Sequence, residues 1–129
     1  MRMMAKIAAL IALVALLGGP ATAQQQPAGT FLLTVFLKHD QSKPLDQINE
    51  QLRAQKYYES FPPDGIEVVS WYVMMGIGQI VTLRVPADRL REVNRALERT
   101  AWGAYRTEFY PTYDLKPVME AEIRKARQK

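Results

Sequence analysis

The residues best suited to chemistry in this chain are one histidine and one carboxylate. Among its 129 residues the chain has a single histidine and no cysteine, and an imidazole titrates close to neutral pH. His39 follows an apolar segment, where it could accept a proton or bind a ligand at the mouth of a pocket. The alternative interpretation is a loop histidine that caps a strand. His39 and Glu108 are the candidate catalytic residues.

A second group combines polar and aromatic side chains on one inferred strand face. Apolar walls with a few convergent polar groups are typical of a small-molecule pocket, and we expect Lys38, Arg84 and Glu108 to lie near each other beside Phe36 and Trp71. A Lys–Glu or Arg–Glu pair could hold a carboxylate-bearing ligand or shift the pKa of a proton-transfer group. Salt bridges between subunits, or strand ends in water, are the alternative. The predicted ligand-binding residues are Thr34, Phe36, Lys38, Trp71, Arg84 and Tyr110. The pattern leaves open which face of the fourth strand lines the pocket, the one with Arg106, Glu108 and Tyr110 or the opposite one.

The composition argues against several classes of site. With one histidine and no cysteine, a metal ion would depend mainly on carboxylates, and no acidic cluster has the spacing of a binding loop. We therefore predict neither a metal nor a cofactor. The chain has 17 Lys and Arg against 13 Asp and Glu, but the basic excess lies at its two ends rather than on a folded face. Nucleic-acid binding is not expected.

The first 23 residues have the three parts of a cleavable secretory signal. Arg2 and Lys6 precede an apolar run over residues 7–17, and the small residues Ala21 and Ala23 follow at the positions that a signal peptidase reads. The apolar run is shorter than the roughly 20 residues that a spanning helix needs. We therefore expect a mature protein that has no membrane anchor and is periplasmic or secreted.

Hydrophobic periodicity and breaker residues predict four strands and three helices. Alternating β-branched and aromatic residues indicate strands, and apolar residues three and four positions apart indicate amphipathic helices. The elements predicted in chain order are a strand over 30–39, a helix over 44–60, strands over 66–75 and 79–86, a helix from 86 to about 102, a strand over 105–113 and a helix over 116–127. Residues 24–29 are interpreted as a flexible lead-in, 30–115 as one domain and 116–129 as a basic C-terminal helix.

The order β-α-β-β-α-β is that of the ferredoxin-like fold, an α+β architecture in which both helices cover one face of a four-stranded antiparallel sheet. The other face would expose more apolar surface than a soluble protein leaves in water. The residues expected on that face are Leu32, Phe36, Val69, Trp71, Val73 and Ile80. We therefore expect a homodimer in which a second copy of the sheet covers the first.

The element order, the length, the two-sided strands and the late segment EFYPTYDLKP resemble the dimeric α/β-barrel superfamily. The small muconolactone-isomerase-like single-domain proteins are nearest. The resemblance spans residues 31–117 and depends on pattern rather than on a short motif. It implies two sheets facing each other across a two-fold axis and a pocket in each protomer. Its members include isomerases, cofactor-free monooxygenases and haem-handling proteins, so it implies no single reaction.

These observations favour an exported dimer that binds a small anionic or aromatic molecule, with isomerase- or oxygenase-like chemistry as its possible activity. Whether the protein is an enzyme stays open. One alternative is a non-catalytic structural or interaction dimer. Another is a propeptide or protease-inhibitor-like module of ferredoxin fold, although the basic helical end after Pro117 does not suit an extended tail that enters a protease cleft.

Overall fold

A computed structural model describes residues 28–128 of the chain. The predicted signal peptide over 1–23 and residues 24–27 of the predicted lead-in lie outside the described residues, so export stays a prediction. Within the described range, no helix has both the length and the apolar character needed to cross a membrane.

The described residues form an α+β fold with one four-stranded antiparallel sheet. The strands are β1 (Thr30–His39), β2 (Glu67–Met74), β3 (Gly78–Pro86) and β4 (Tyr105–Thr112), in the spatial order β2-β3-β1-β4. The helices are α1 (Leu45–Ala54), the short α2 (Tyr57–Ser60), α3 (Leu90–Thr100) and α4 (Lys116–Arg127), and a 3-10 turn over Ala87–Arg89 precedes α3. This arrangement confirms the predicted α+β class and is compatible with a ferredoxin-like fold.

The core lies between one face of the sheet and helices α1 to α3. Alternate residues of β1 and β3 are fully buried there, among them Val35, Leu37 and Val81, because successive strand residues point to opposite faces. Ile48 and Leu52 of α1 and Val93 and Leu97 of α3 complete it from the helical side. Burial of these side chains from water is the main term that holds the sheet and helices together.

The helix predicted over 44–60 is interrupted near its end. Lys56 has φ of +66°, a left-handed conformation, so α1 stops at Ala54 and α2 starts in a new direction that buries Tyr57. The Gln55 side chain donates to the carbonyl oxygens of Thr100 (2.7 Å) and Trp102 (3.1 Å). These carbonyl groups lie where α3 ends, so the break in the first helix provides a cap for the other one.

The predicted placement of Trp71 on the uncovered face of the sheet is wrong. The pairing of β2 with β3 shifts between Val68 and Ser70, so that Trp71 pairs with the buried Val81. One extra residue in a strand moves every later side chain to the other face. Trp71 therefore lies on the helix-covered side, where its ring contacts Phe61 with centroids 5.8 Å apart, and Val73 follows it.

The uncovered face still combines apolar and charged side chains. Leu32, Phe36 and Ile80 lie on it in the centre of the sheet, and Tyr72 (67% exposed) and Tyr110 (50%) lie on the outer strands. Charged residues are interspersed at both ends of these strands. Leu32 is nevertheless buried (8% exposed), so this face is open chiefly on the outer strands.

The turn between β2 and β3 holds the start of β3 against the end of β1. Ile77 accepts a hydrogen bond from the backbone N–H of His39 (2.9 Å). Gly78 has φ of +150°, and a Cβ atom on it would lie 2.1 Å from the carbonyl oxygen of Leu37. Only glycine fits this position without a shift of the β1 backbone.

The C-terminal helix α4 forms where it was predicted but buries no side chain. Its apolar residues Val118, Met119 and Ile123 are all exposed. The Asp114 carboxylate accepts a hydrogen bond from the backbone N–H of Lys116 (2.9 Å) and so satisfies a donor at the start of the helix.

Candidate functional site

A cleft lies where β1 ends and β4 begins, beside the β2–β3 turn. We call it the His39 cleft; its volume is about 980 Å³. It continues from this end of the sheet onto the uncovered face. Its lining residues are Phe36, Lys38, His39, Asp40, Gln41, Met74, Gly76, Ile77, Gly103, Ala104, Tyr105, Arg106 and Glu108.

His39 occupies a partly enclosed position at this end. It pairs with Tyr105 across the β1–β4 ladder, and the two rings stack with centroids 5.5 Å apart and planes 12° from parallel. The His39 Nε2 atom is buried and has no hydrogen-bond partner among the described residues. A buried polar atom without a partner costs about 1–3 kcal/mol, and a hydrogen bond to this nitrogen would require the side chains around it to move.

A chain of side-chain hydrogen bonds fixes the orientation of Tyr105. The Trp71 indole N–H donates to Gln79 Oε1 (2.7 Å), and Gln79 Nε2 donates to the Tyr105 hydroxyl oxygen (3.2 Å). Because an indole nitrogen can only donate, it sets which end of the Gln79 amide faces Tyr105. The Tyr105 oxygen is thus an acceptor, and its own proton remains to be donated elsewhere. Burial raises the pKa of Tyr105 to about 12, so the phenol stays protonated at neutral pH.

Gln79 was not among the residues predicted from the sequence. It precedes Val81, Leu83 and Val85 on the core-facing side of β3, all of them fully buried. A polar residue in line with three core positions is the signal that could have identified it.

Glu108 is held as a carboxylate by two donors on the uncovered face. Lys38 Nζ lies 2.6 Å from its Oε1, and the Tyr110 hydroxyl donates to its Oε2 (2.9 Å). The hydrogen bond from Lys38, followed by that from Tyr110, lowers the pKa of Glu108, and the same Glu108 carboxylate raises the pKa of Tyr110. The edge of the Phe36 ring meets Tyr110 at 5.7 Å. This arrangement suits Glu108 to fixing charge rather than to transferring protons.

Arg106 adds a second positive charge beside Lys38 at this end of the sheet. It pairs with Lys38 across the β1–β4 ladder, and like charges directly opposite each other destabilise a sheet. Among the described residues Arg106 makes no salt bridge or side-chain hydrogen bond. The nearby Asp40 carboxylate accepts hydrogen bonds from the hydroxyl (2.6 Å) and backbone N–H (3.0 Å) of Ser42, and these bonds, with smaller effects of the positive charges of Lys43 and Arg106, lower the pKa of Asp40.

The structure brings together four of the six predicted ligand-binding residues. Phe36, Lys38 and Tyr110 contact one another or Glu108, and Thr34 lies next to them with its hydroxyl 2.6 Å from that of Thr112. The face of β4 that carries Arg106, Glu108 and Tyr110 shares this surface, but Tyr105 of the opposite face also lines the His39 cleft, and Thr34 and Tyr110 lie outside its lining.

The predicted proximity of Arg84 to Lys38 is wrong. Arg84 pairs with Leu32, six residues before Lys38 on β1, and at about 3.3 Å per residue the two lie about 20 Å apart. Arg84 instead makes an ion pair of 2.9 Å with Glu67. Trp71 also contributes no wall to the uncovered face, because the irregularity in β2 places it on the other side of the sheet.

Comparison of the chain with protein-family models, with curated proteins and with solved structures finds no match. The resemblance to dimeric α/β barrels therefore remains a prediction, and any function has to be argued from the geometry of the His39 cleft. Within the described residues, no group of three or more His, Asp or Glu side chains could hold a metal ion.

Proposed function

We propose that this protein is an exported homodimer that binds a small anionic or aromatic molecule in the His39 cleft. The observation that carries the proposal is that one cleft is lined both by Arg106, whose guanidinium makes no salt bridge or hydrogen bond to the described residues, and by the imidazole of His39. Export is supported by the pattern of the first 23 residues.

The free hydrogen-bond donors of the cleft support an anionic ligand. Glu108 pairs directly with Lys38, whereas Asp40 acts on Arg106 only through its charge, so the Arg106 guanidinium makes no direct bond to any described residue. A ligand carboxylate could accept two parallel hydrogen bonds from the planar guanidinium of Arg106. It would also remove the repulsion between Arg106 and Lys38.

The uncovered sheet face supports a second copy as the partner. Phe36, Met74 and Glu108 line the cleft and also belong to that face, so a second sheet packed on it would close the cleft from above. Exclusion of water would strengthen the interactions of Arg106 with a ligand. This is the dimeric arrangement that the resemblance to α/β barrels implies.

His39 lines the cleft, and in the isomerase-like form of the proposal its imidazole transfers a proton to or from the ligand. Tyr105 stacks on the His39 ring and helps to hold the orientation of that ring. Oxygenase-like chemistry on an aromatic ligand is the second version. A purely structural dimer would use the Lys38–Glu108 pair for contacts between subunits, and an inhibitor-like module is disfavoured by the helical form of α4.

A thermal-shift screen with hydroxy acids, lactones and phenols tests ligand binding. We expect at least one ligand to raise the melting temperature, and Arg106→Gln and His39→Gln each to reduce that shift strongly, because a bound ligand stabilises only the folded state. Arg84→Gln is the matched control, since it removes the same charge at the far end of the same face. A shift that survives both cleft substitutions would contradict the site.

The oligomeric state is tested separately by sedimentation velocity. We expect a dimer that Tyr72→Lys converts to a monomer, because Tyr72 lies on the uncovered face. Tyr58→Lys is the control, because Tyr58 is similarly exposed (57%) but lies on α2 at the helical side. A monomeric parent protein would refute the dimer while leaving the cleft assignment to be decided by the ligand screen.

A further inference from the structure

The outer surface of α3 carries three arginines in line. Arg91, Arg95 and Arg99 are spaced four residues apart, and residues at this spacing are neighbours on one side of a helix. At about 1.5 Å of rise per residue, successive members are about 6 Å apart along the axis and the set spans about 12 Å. We call these three residues the arginine row.

The arginine row is not neutralised by its surroundings. In the described part of the chain none of the three guanidinium groups makes a salt bridge or hydrogen bond. Of the two carboxylates on the same helix, Glu92 accepts two bonds of 2.8 Å from Arg89, whereas Glu98 accepts one bond from the neutral Asn94 and keeps its charge without bonding an arginine of the row. Like charges four residues apart destabilise a helix by about 0.2–0.5 kcal/mol per pair. Repulsion within the row is therefore a cost to α3, which Arg99 offsets in part by its place in the last turn of the helix.

The arginine row borders a groove between α3 and the segment that follows α2. The groove has a volume of about 620 Å³, and its other lining residues are Ser60, Pro63, Asp88, Glu92, Ala96 and Thr100. The two carboxylates lie at the start of α3, and Glu92 is paired with Arg89. The opposite end, near Arg95 and Arg99, is therefore the positive end of the groove. None of its lining residues belongs to the His39 cleft.

We propose that the arginine row is a binding site for a small soluble molecule that carries two or more phosphate groups. Arginine matches phosphate because its planar fork donates two parallel hydrogen bonds to one group. Three guanidinium groups on long side chains along one groove can contact several linked phosphates at once, whereas a single phosphate can use only part of the row. A bound polyphosphate would also remove the repulsion among the three arginines. The site is independent of the proposed function of the His39 cleft.

Isothermal titration calorimetry with sodium tripolyphosphate tests this site on the purified protein. Two triple variants, each lacking three positive charges, are compared. The α3 variant is Arg91→Gln, Arg95→Gln and Arg99→Gln, and the α4 variant is Arg124→Gln, Lys125→Gln and Arg127→Gln. We expect the α3 variant to weaken binding at least about tenfold because charge-assisted hydrogen bonds are lost. The α4 variant should weaken tripolyphosphate binding about twofold or less, because salt screens charges that lie far from the bound molecule.

Three outcomes would overturn the proposal. Equal weakening by both triple variants would indicate attraction by net charge alone. Orthophosphate binding as tightly as tripolyphosphate would show that the row does not act as a unit. Binding to vesicles that contain an anionic phospholipid, without binding to tripolyphosphate, would assign the row to a membrane surface instead. Far-UV circular dichroism of both variants checks that the helices remain. We expect them to remain, because glutamine is a good helix former.

Discussion

Replacing Gly78 by alanine would push a side-chain carbon against the backbone of β1, next to the His39 cleft. Gly78 is the first residue of β3, and it pairs with Lys38 at the end of β1. Its φ of +150° is one that side chains rarely adopt, and an added Cβ atom would lie 2.1 Å from the Leu37 carbonyl oxygen and 2.9 Å from the Lys38 Cα. The obstacle is backbone on both counts, so no side-chain rotation can relieve it.

The expected loss of stability has two parts. Holding an alanine in a sparsely populated backbone conformation costs about 1–3 kcal/mol. Pushing an extra carbon into packed structure costs a further 1–3 kcal/mol or so, giving a total of about 2–6 kcal/mol. Because the overlap lies in a central pair of strands, β1 would have to move, and His39 would move with it.

Gly76→Ala is the matched control in the same turn. Gly76 also has a positive φ, of +79°, but no heavy atom lies within 4 Å of the Cβ position. Its substitution should therefore cost only the left-handed backbone penalty, about 1–2 kcal/mol. The difference between the two variants isolates the contact with the Leu37 carbonyl, for which we expect about 2 kcal/mol.

Urea denaturation of the parent protein and both variants measures these free energies of unfolding. A difference of about 2 kcal/mol corresponds to roughly 8–16 °C in the melting temperature of a domain of this size. An unchanged m-value would confirm that the variants unfold from the same compact state. If Gly78→Ala is no less stable than Gly76→Ala, the reasoning about the backbone approach is refuted.

Three further predictions concern proton equilibria. Burial raises the pKa values of Tyr57 and Tyr105, that of Tyr105 to about 12, so the stability they contribute is present below their ordinary pKa of about 10 and lost as pH rises toward 12. Phenolate absorbance and circular dichroism should then change together. Gln79→Leu removes the donor that lowers the Tyr105 pKa, so that pKa should rise in a native-state titration; a fall would exclude the bond. Glu108→Gln should lower the pKa of Tyr110, as monitored by NMR, and a Tyr110 pKa that does not change would show that the two groups are apart in solution. The Glu108 pKa is lowered in the folded state, so its own stabilising contribution is expected above the ordinary carboxyl pKa and lost as pH falls through the folded value.

Alternation along the chain predicted the strands that pair regularly. From Leu33 to Leu37 in β1 and from Val81 to Val85 in β3 every second residue is buried, as period-two spacing requires. The same alternation gives the wrong face for the later residues of β2, because the register of β2 against β3 shifts after Val68. This shift depends on the pairing of the two strands and leaves no local pattern in the sequence. Trp71 was therefore assigned to the wrong face, while the Phe36 and Lys38 assignments on β1 needed no such correction.

Placement along a strand was harder to predict than placement on a face. Arg84 does lie on the uncovered face, but at the end of the sheet away from Lys38, and only the register of β3 against β1 reveals this. The break between α1 and α2 was likewise missed, because the left-handed Lys56 is stabilised by contacts that bury Tyr57 and by the bonds of Gln55 to the end of α3. Such long-range causes cannot be read from helical spacing.

Helix α4 has a consequence for how cooperatively the chain unfolds. A helix of 12 residues in which no side chain is buried depends almost entirely on its own hydrogen bonds, and helices this short are only marginally stable in water. Its amide hydrogens should exchange with solvent long before those of β1 and β3, at a rate insensitive to core substitutions. In the isolated protomer, the part of the chain that unfolds cooperatively would thus end close to Thr112, where β4 ends, and would not include α4.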